Sequence, residues 1–536
     1  MLLTGAVSSY TRTGNLISNL PRNYINSLYF QDDWKVLPNL TVNVGVRWQV
    51  QSTPTNKYNL LSDFDPNGAD NIVAGGKGLI THPETIGKKD WNNFQPRIGF
   101  ALTLPGDWVI RSGFGISTVD DRLPTVASEE YGAVTARLDT PNGDFRPRFV
   151  LSQGPNLSQL VSPVIRSNGT IPFAGTNYST RSATWYDPNR KSPYTMNWSF
   201  GVQHTFATHY LMELTYTGNS SVNGFENRNI NSVSYDWANN LRLTNPAGFS
   251  AFQTNPQISR PYPNYGDITF RTNGARSNYH AGTIKLDKRF SRGLSMLTFY
   301  TYSKLIDAGS SNNLVPRQWD RAEAQNNRTH QYTGSMNYEL PFGQGRKWLK
   351  GGGLVNHIFG GFDMVFMYRI QSGDALQYTF AGSPFQYMPG VVAVRANNRP
   401  NSTGQRAALR DNWQDIGSAR FNQATQNSLI ESMNVFTYPD AFTVGNVGRN
   451  TFDRQRFIDT QFSASKQWEI KERYKATFRF DFQNPFKWYN LSAPNTVVNF
   501  TNPQTFGKVS TSTGDEGTTA NAGGQGLMNI TLAFRF

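Results

Sequence analysis

The chain of 536 residues contains no cysteine. That excludes a disulfide scaffold, a thiolate metal centre, an iron–sulfur cluster and a cysteine nucleophile. Charge is also scarce: Asp, Glu, Lys and Arg make up 16% of the chain, well under the roughly one quarter usual in soluble domains. Long apolar runs are missing as well. The longest, such as Met364-Val365-Phe366-Met367-Tyr368, stop after about five residues, far short of the roughly 20 a membrane-crossing helix needs. The first residues, Met1-Leu2-Leu3-Thr4-Gly5, carry no basic stretch and too short an apolar one for a secretion signal. What the chain does have is aromatic residues, 13% of the total, with 36 Phe, 24 Tyr and 12 Trp.

The net charge is +14 and the isoelectric point near 9.7. Basicity invites a nucleic-acid reading, but Arg47, Arg97, Arg111, Arg289, Arg479 and Arg535 stand singly, with no basic run. No nucleic-acid partner is expected. Six histidines (His82, His204, His209, His280, His330 and His357) show no metal-ligand spacing. No nucleophile elbow, phosphate loop or dinucleotide fingerprint occurs, so a catalytic site, a cofactor and a metal are not expected.

Alternation with period two is the strongest pattern. Leu40, Val42, Val44, Val46, Trp48 and Val50 are opposed by Thr41, Asn43, Gly45, Arg47 and Gln49. Met196, Trp198, Phe200 and Val202 alternate with Asn197, Ser199, Gly201 and Gln203; Tyr474 to Phe482 repeats the pattern. Successive side chains of a strand point to opposite faces, so each segment is a strand with one apolar and one polar side. Thirteen such segments are predicted, near 28–36, 40–50, 96–104, 108–116, 195–206, 209–217, 279–290, 294–304, 331–340, 361–371, 457–468, 474–482 and 527–536. Each runs to about ten residues, whereas strands of soluble sheets centre on five or six. Ten is the length that crosses a bilayer at a tilt.

The connections alternate between short and long. Leu37-Pro38-Asn39, Pro105-Gly106-Asp107, Ala207-Thr208, Ser291-Arg292-Gly293 and Ile470-Lys471-Glu472-Arg473 are hairpin turns. Between them lie long stretches at 51–95, 117–194, 218–278, 305–330, 372–456 and 483–526; one short-side connection, from Phe342, is longer and has room for a small helix. Soluble sandwiches have no reason to gather long loops at one end of every hairpin, and no repeat of propeller length occurs. Outer-membrane barrels have short turns on the periplasmic rim and long loops outside. Trp34, Trp48, Trp108, Tyr210, Tyr216, Tyr300, Tyr302, Tyr338, Trp468 and Tyr474 near strand ends suit the interfacial girdles. The fold class is therefore all-β: a transmembrane antiparallel β-barrel, one incomplete domain over 1–536. A periplasmic C-terminus makes the first strand run inward from outside, so at least one further strand is expected upstream.

Specific segments carry a family resemblance. Tyr29-Phe30-Gln31-Asp32-Asp33-Trp34-Lys35 with Pro38-Asn39-Leu40-Thr41 and Gly45-Val46-Arg47-Trp48 resembles a segment of TonB-dependent outer-membrane receptors, most closely the Oar-like group common in acidobacteria. Phe94-Gln95-Pro96-Arg97-Ile98-Gly99-Phe100, Glu339-Leu340-Pro341-Phe342-Gly343, Asn446-Val447-Gly448-Arg449-Asn450 and Phe478-Arg479-Phe480-Asp481-Phe482-Gln483-Asn484 extend the resemblance in order. It implies uptake of a bulky nutrient or macromolecule through the C-terminal part of a 22-stranded barrel. The signal peptide, TonB box and plug of such receptors cannot be placed here, so the TonB complex is an expected partner only through a missing plug. The terminal strand, with Met528, Ile530, Leu532, Phe534 and Phe536 on one face, resembles the signal read by the barrel assembly machinery. Outer-membrane lipid is the expected environment, and the positive charge suits lipopolysaccharide. The alternative is a surface adhesin or secretion-related barrel that does not transport.

Overall fold

A computed structural model describes residues 6–7, 9–13, 21–57, 61–69, 76–81, 83–119, 135–139, 149–150, 152, 182–233, 235–308, 320–343, 345–349, 351, 353–381, 399–405, 407, 428, 430–439, 445–470, 474–488, 490–509 and 526–535. Phe536, His82 and the turn at 471–473 lie outside the described residues. Thirteen long strands form one antiparallel sheet in sequence order: β1 (Ile25–Leu37), β2 (Leu40–Gln51), β3 (Phe94–Leu104), β4 (Trp108–Thr118), β5 (Tyr194–Phe206), β6 (Tyr210–Asn229), β7 (Ile268–Ser291), β8 (Leu294–Ala308), β9 (His330–Glu339), β10 (Phe362–Gln371), β11 (Phe457–Ile470), β12 (Tyr474–Gln483) and β13 (Leu527–Arg535). Each is hydrogen-bonded to its sequence neighbours, and among the described residues β1 pairs only with β2 and β13 only with β12.

Register aligns the two kinds of face from β2 to β10. One ladder runs Leu40, Leu102, Ile110, Val202, Leu214, Ile284, Tyr300, Tyr332 and Ile370, each the direct cross-strand partner of the next. One residue further along each strand, on the other face, run Ala101, Arg111, Gly201, Thr215, Thr283, Thr301, Gln331 and Gln371. A slip of one residue on any strand would put its apolar set among the polar one, so the alternation pins the register. Among the described residues no second layer covers the apolar face: Val44, Ile98, Phe114, Phe200, Leu214, Ile284 and Phe480's neighbour Ile530 are not buried, and Leu214 is 48% exposed. A single-layer sheet with a bare apolar face needs a non-aqueous medium on that side.

All thirteen predicted strands are present, but not all are about ten residues long. β6 has 20 residues and β7 has 24. β6 continues past the apolar alternation into Asn219-Ser220-Ser221 and beyond, and β7 begins as far back as Ile268, ahead of its own alternation. The register shifts between Ser221, Gly224 and Phe225, with Asn223 at φ 57°; such a bulge bends and twists a strand where it leaves the regular sheet. The extension acquires its own partner, since Ala183–Tyr186 pairs in parallel with Ile268–Arg271. At the opposite rim, Ala207 and Thr208 both adopt left-handed backbone, at φ 47° and 58°, within the three-residue loop Ala207-Thr208-His209, which holds neither Gly nor Asn. The tightness of the β5–β6 pairing, from Phe206 opposite Tyr210 onward, imposes that conformation on them.

Candidate functional site

The apolar face is bordered by aromatic rows. Toward the short turns lie Trp34, Trp108, Tyr210, Tyr338, Trp468 and Tyr474; toward the long connections lie Trp48, Tyr216, Tyr300 and Tyr302. Leu294 and Tyr302 on β8 are about 26 Å apart along the strand at about 3.3 Å per residue, matching an apolar band roughly 25 Å tall. Three histidines belong to these rows. His204 stacks on Trp108 at 4.1 Å, His280 Nδ1 lies 2.8 Å from the Tyr216 hydroxyl, and His330 Nδ1 lies 2.8 Å from the Tyr300 hydroxyl. Among the described residues, no group of three His, Asp or Glu gathers to hold a metal. On β13, Met528, Ile530, Leu532 and Phe534 share one exposed face opposite Phe482, Phe480, Phe478 and Ala476.

The long connections carry most of the buried side chains. One core joins Leu376, Tyr378, Phe380, Ile430, Val435, Phe436, Val447, Phe452, Val498 and Phe506, drawn from the connections on both sides of the β11–β12 hairpin. A second joins Phe64, Ile80, Ala183, Tyr265 and Ile268, with Trp185, Ile230 and Tyr262 packed against it. Phe64 meets Tyr262 and Tyr265 edge-on at 5.1 Å each, and the Tyr265 hydroxyl donates to the Gly78 carbonyl at 3.0 Å. Asn231 closes this unit, its Nδ2 donating to the carbonyls of Tyr262, Tyr265 and Gly266 while its Oδ1 accepts from the Tyr262 amide. In the chain between Asn231 and Tyr262 are two helices, α1 (Tyr235–Thr244) and α2 (Pro246–Thr254), the latter capped by Asn245 Oδ1 accepting from the Gly248 amide at 2.9 Å.

An ionic network fastens the first of these cores to the rim of the sheet. Arg399 Nη2 donates to Asp320 Oδ1 at 2.6 Å, with both side chains almost wholly buried. Burial pushes the Asp320 carboxyl up and the Arg399 guanidinium down from their ordinary values, while the contact between them opposes both shifts. Arg328 and Arg454 converge on Asp374 at 2.7 and 3.4 Å. Asn327 Oδ1 accepts from the Leu305 amide at 2.7 Å and its Nδ2 donates to Glu323 and Thr329, so the polar cluster entering β9 is an anchor for the connection. Arg449 donates to the backbone carbonyl of Asp307 at 3.0 Å and to its carboxylate, and Asn450 Nδ2 donates to the Glu323 carbonyl at 2.8 Å.

A cavity of about 470 Å³ opens above these anchors, within the range of small-molecule sites. Asn446, Val447, Gly448 and Asn450 form one wall, with Tyr378 and Phe436 as ring surfaces and Glu323 and Asp453 as carboxylates. The wall is held in place by reciprocal amide contacts: Asn446 Oδ1 accepts from the Ser402 amide at 2.8 Å, and Asn401 Oδ1 accepts from the Asn446 amide at 3.0 Å. Rings beside amides and carboxylates suit a ligand with an apolar face and several hydrogen-bonding groups. The segment 446–450 was recognisable in the sequence, but Tyr378, Ser402 and Phe436 were not. Their only signal was apolar residues, such as Tyr378, Phe380, Val435 and Phe436, inside an Asn- and Gly-rich stretch.

A family model for the outer membrane beta barrel domain matches the chain over residues 1–518. The chain belongs to this family. An outer-membrane β-barrel domain places the protein in the bacterial outer membrane, with the apolar face toward lipid. Among solved structures, the chain is similar to the ferripyoverdine receptor of the Pseudomonas aeruginosa outer membrane, at 9% identity and TM-score 0.40, covering 96% of this chain and 39% of that one. The FrpB iron transporter from Neisseria meningitidis matches at 9% and 0.39, over 96% and 44%. The siderophore receptor PiuA from Acinetobacter baumannii matches at 7% and 0.41, over 96% and 43%. The chain thus spans less than half the length of each. No curated protein matches it.

Proposed function

We propose that this chain is the membrane-embedded part of a TonB-dependent receptor of the Oar-like type, a non-catalytic barrel that imports a bulky nutrient or macromolecule. The observation that carries the reading is the asymmetry of the sheet. Short turns lie on one rim, and on the other rim connections pack into cores that enclose a cavity lined by Asn446-Val447-Gly448 and Asn450. A ligand held there sits over the polar face of the strands, where Arg111, Thr215, Thr283 and Gln331 would line its route. The long-loop rim is then extracellular, and lipopolysaccharide faces its cationic residues. Energy from the TonB complex reaches the barrel through a plug domain. Met528, Ile530, Leu532, Phe534 and Phe536 serve as the assembly signal.

A second reading, an adhesin that does not transport, is favoured by one observation: the long connections are packed units with buried cores, as a binding platform requires. One comparison separates the two. Culture media are profiled for a deletion strain and for a strain lacking the energy-coupling complex. A compound left unconsumed by both supports the receptor; loss of surface attachment in the deletion strain, with consumption intact, supports the adhesin.

A further inference from the structure

Most short-rim turns are tight, joining Leu37 to Leu40, Leu104 to Trp108, Phe206 to Tyr210 and Ser291 to Leu294. Among the described residues the connection from β9 to β10, residues 340–361, is longer, and it contains a third helix, α3 (Leu354–Phe359). At 3.6 residues per turn, Leu354, Val355, Ile358 and Phe359 fall on one side of α3, with Asn356 and His357 on the other. None of the four apolar side chains is covered: Leu354 is 77% exposed and Phe359 61%. Trp348 and Leu349, just ahead of the helix, are exposed too, and Lys347 holds its ammonium 5.0 Å from the Trp348 ring.

The helix is fastened to a particular side of the sheet. Lys466 and Trp468 on β11 project from the same face as Phe462 and Ala464, opposite Phe478 and Ala476 of the apolar face. Lys466 Nζ donates to the His357 carbonyl at 2.6 Å, and Trp468 Nε1 donates to the same carbonyl at 2.9 Å. These contacts satisfy a last-turn carbonyl that the helix itself leaves open. They also draw α3 to the lipid-facing side, at the level of the aromatic row. Lys466 is nearly buried there, flanked by the rings of Phe362 and Trp468 at 5.5 and 5.0 Å. The exposed apolar side of α3 is therefore continuous with the apolar band of the sheet.

We propose that residues 340–361 form an interfacial anchor. In it α3, Trp348 and Leu349 insert into the phospholipid leaflet at the short-turn rim, and Lys347 meets the lipid phosphates. Apolar side chains in the interface with a cation at their edge are the chemistry that a phospholipid leaflet retains. The inference rests on the outer-membrane reading, and its test separates the two.

The chain has no cysteine, so single cysteines can be introduced and spin-labelled without background. Leu354→Cys, Val355→Cys and Ile358→Cys are compared in the full chain refolded into phosphatidylethanolamine–phosphatidylglycerol vesicles. Phe200→Cys serves as the lipid-facing reference and Asn502→Cys as the aqueous one. The expected result is an oxygen-to-nickel collision ratio at the three helix positions severalfold above that at Asn502 and close to that at Phe200. Ratios like that at Asn502, with Phe200 lipid-exposed, overturn the anchor and leave the barrel standing. Line broadening between labels on separate copies, with Phe200 lipid-exposed, overturns it in favour of a second chain. An aqueous ratio at Phe200 overturns the barrel and the anchor with it.

Discussion

The sheet and the long connections divide the roles of a soluble protein in reverse. In the sheet, large apolar side chains such as Leu214, Ile284 and Ile530 lie exposed, while the connections bury Phe64, Ile80, Ile430 and Phe436 almost completely. The regular element holds its shape through a continuous ladder of backbone hydrogen bonds and leaves its apolar surface to the surrounding lipid. The irregular element must generate its own core, as any water-facing unit does. Two solvents thus select two different placements of the same residue types within one chain.

That contrast predicts where substitutions act. The largest effects belong to the loop cores. Phe436→Ala removes a ring packed against Tyr378 and Phe506 and should cost about 3–5 kcal/mol of local stability. Arg399→Ala leaves the Asp320 carboxylate buried without its partner and should cost a similar 3–5 kcal/mol. In both, hydrogen exchange should accelerate across 374–380 and 430–453, with β2–β8 unchanged. Equal acceleration in the strands would show that the two regions are one cooperative unit.

The next effect separates the two faces of one strand. Leu214→Arg, on the apolar face of β6, should destabilise the protein in vesicles by about 2–4 kcal/mol, while Thr215→Arg on the polar face should be nearly neutral. Denaturant titration in vesicles measures both, and equal costs would deny that the faces meet different media. The smallest effect lies at the turn. Thr208→Gly relieves left-handed backbone at a residue with a Cβ, and should raise stability by about 1 kcal/mol in the same titration.

The strands and their order were legible from the sequence because period-two alternation is written wherever water meets one face and lipid the other. β2 and β12 were bounded within a residue or two on that signal alone. β6 and β7 extend beyond the predicted bounds because their outer parts, with only Val222, Phe225, Ile268 and Phe270 as large apolar residues, carry no sustained alternation. The candidate cavity was half legible: Asn446 to Asn450 could be singled out as a motif, whereas Asp320 and Arg399 meet across 79 positions and share no local pattern. The α3 segment was readable as a place with room for a small helix; its attachment through Lys466 and Trp468 was not.

The bare apolar face of the sheet is a lipid-facing surface. Single cysteines placed in turn at residues 212–217, in chain refolded into vesicles, test it through reaction with a membrane-impermeant maleimide. The expected result is a strict alternation, with Glu213, Thr215 and Thr217 positions labelled and Met212, Leu214 and Tyr216 positions protected. Labelling of Met212, Leu214 and Tyr216 at the rate of their neighbours would contradict the account.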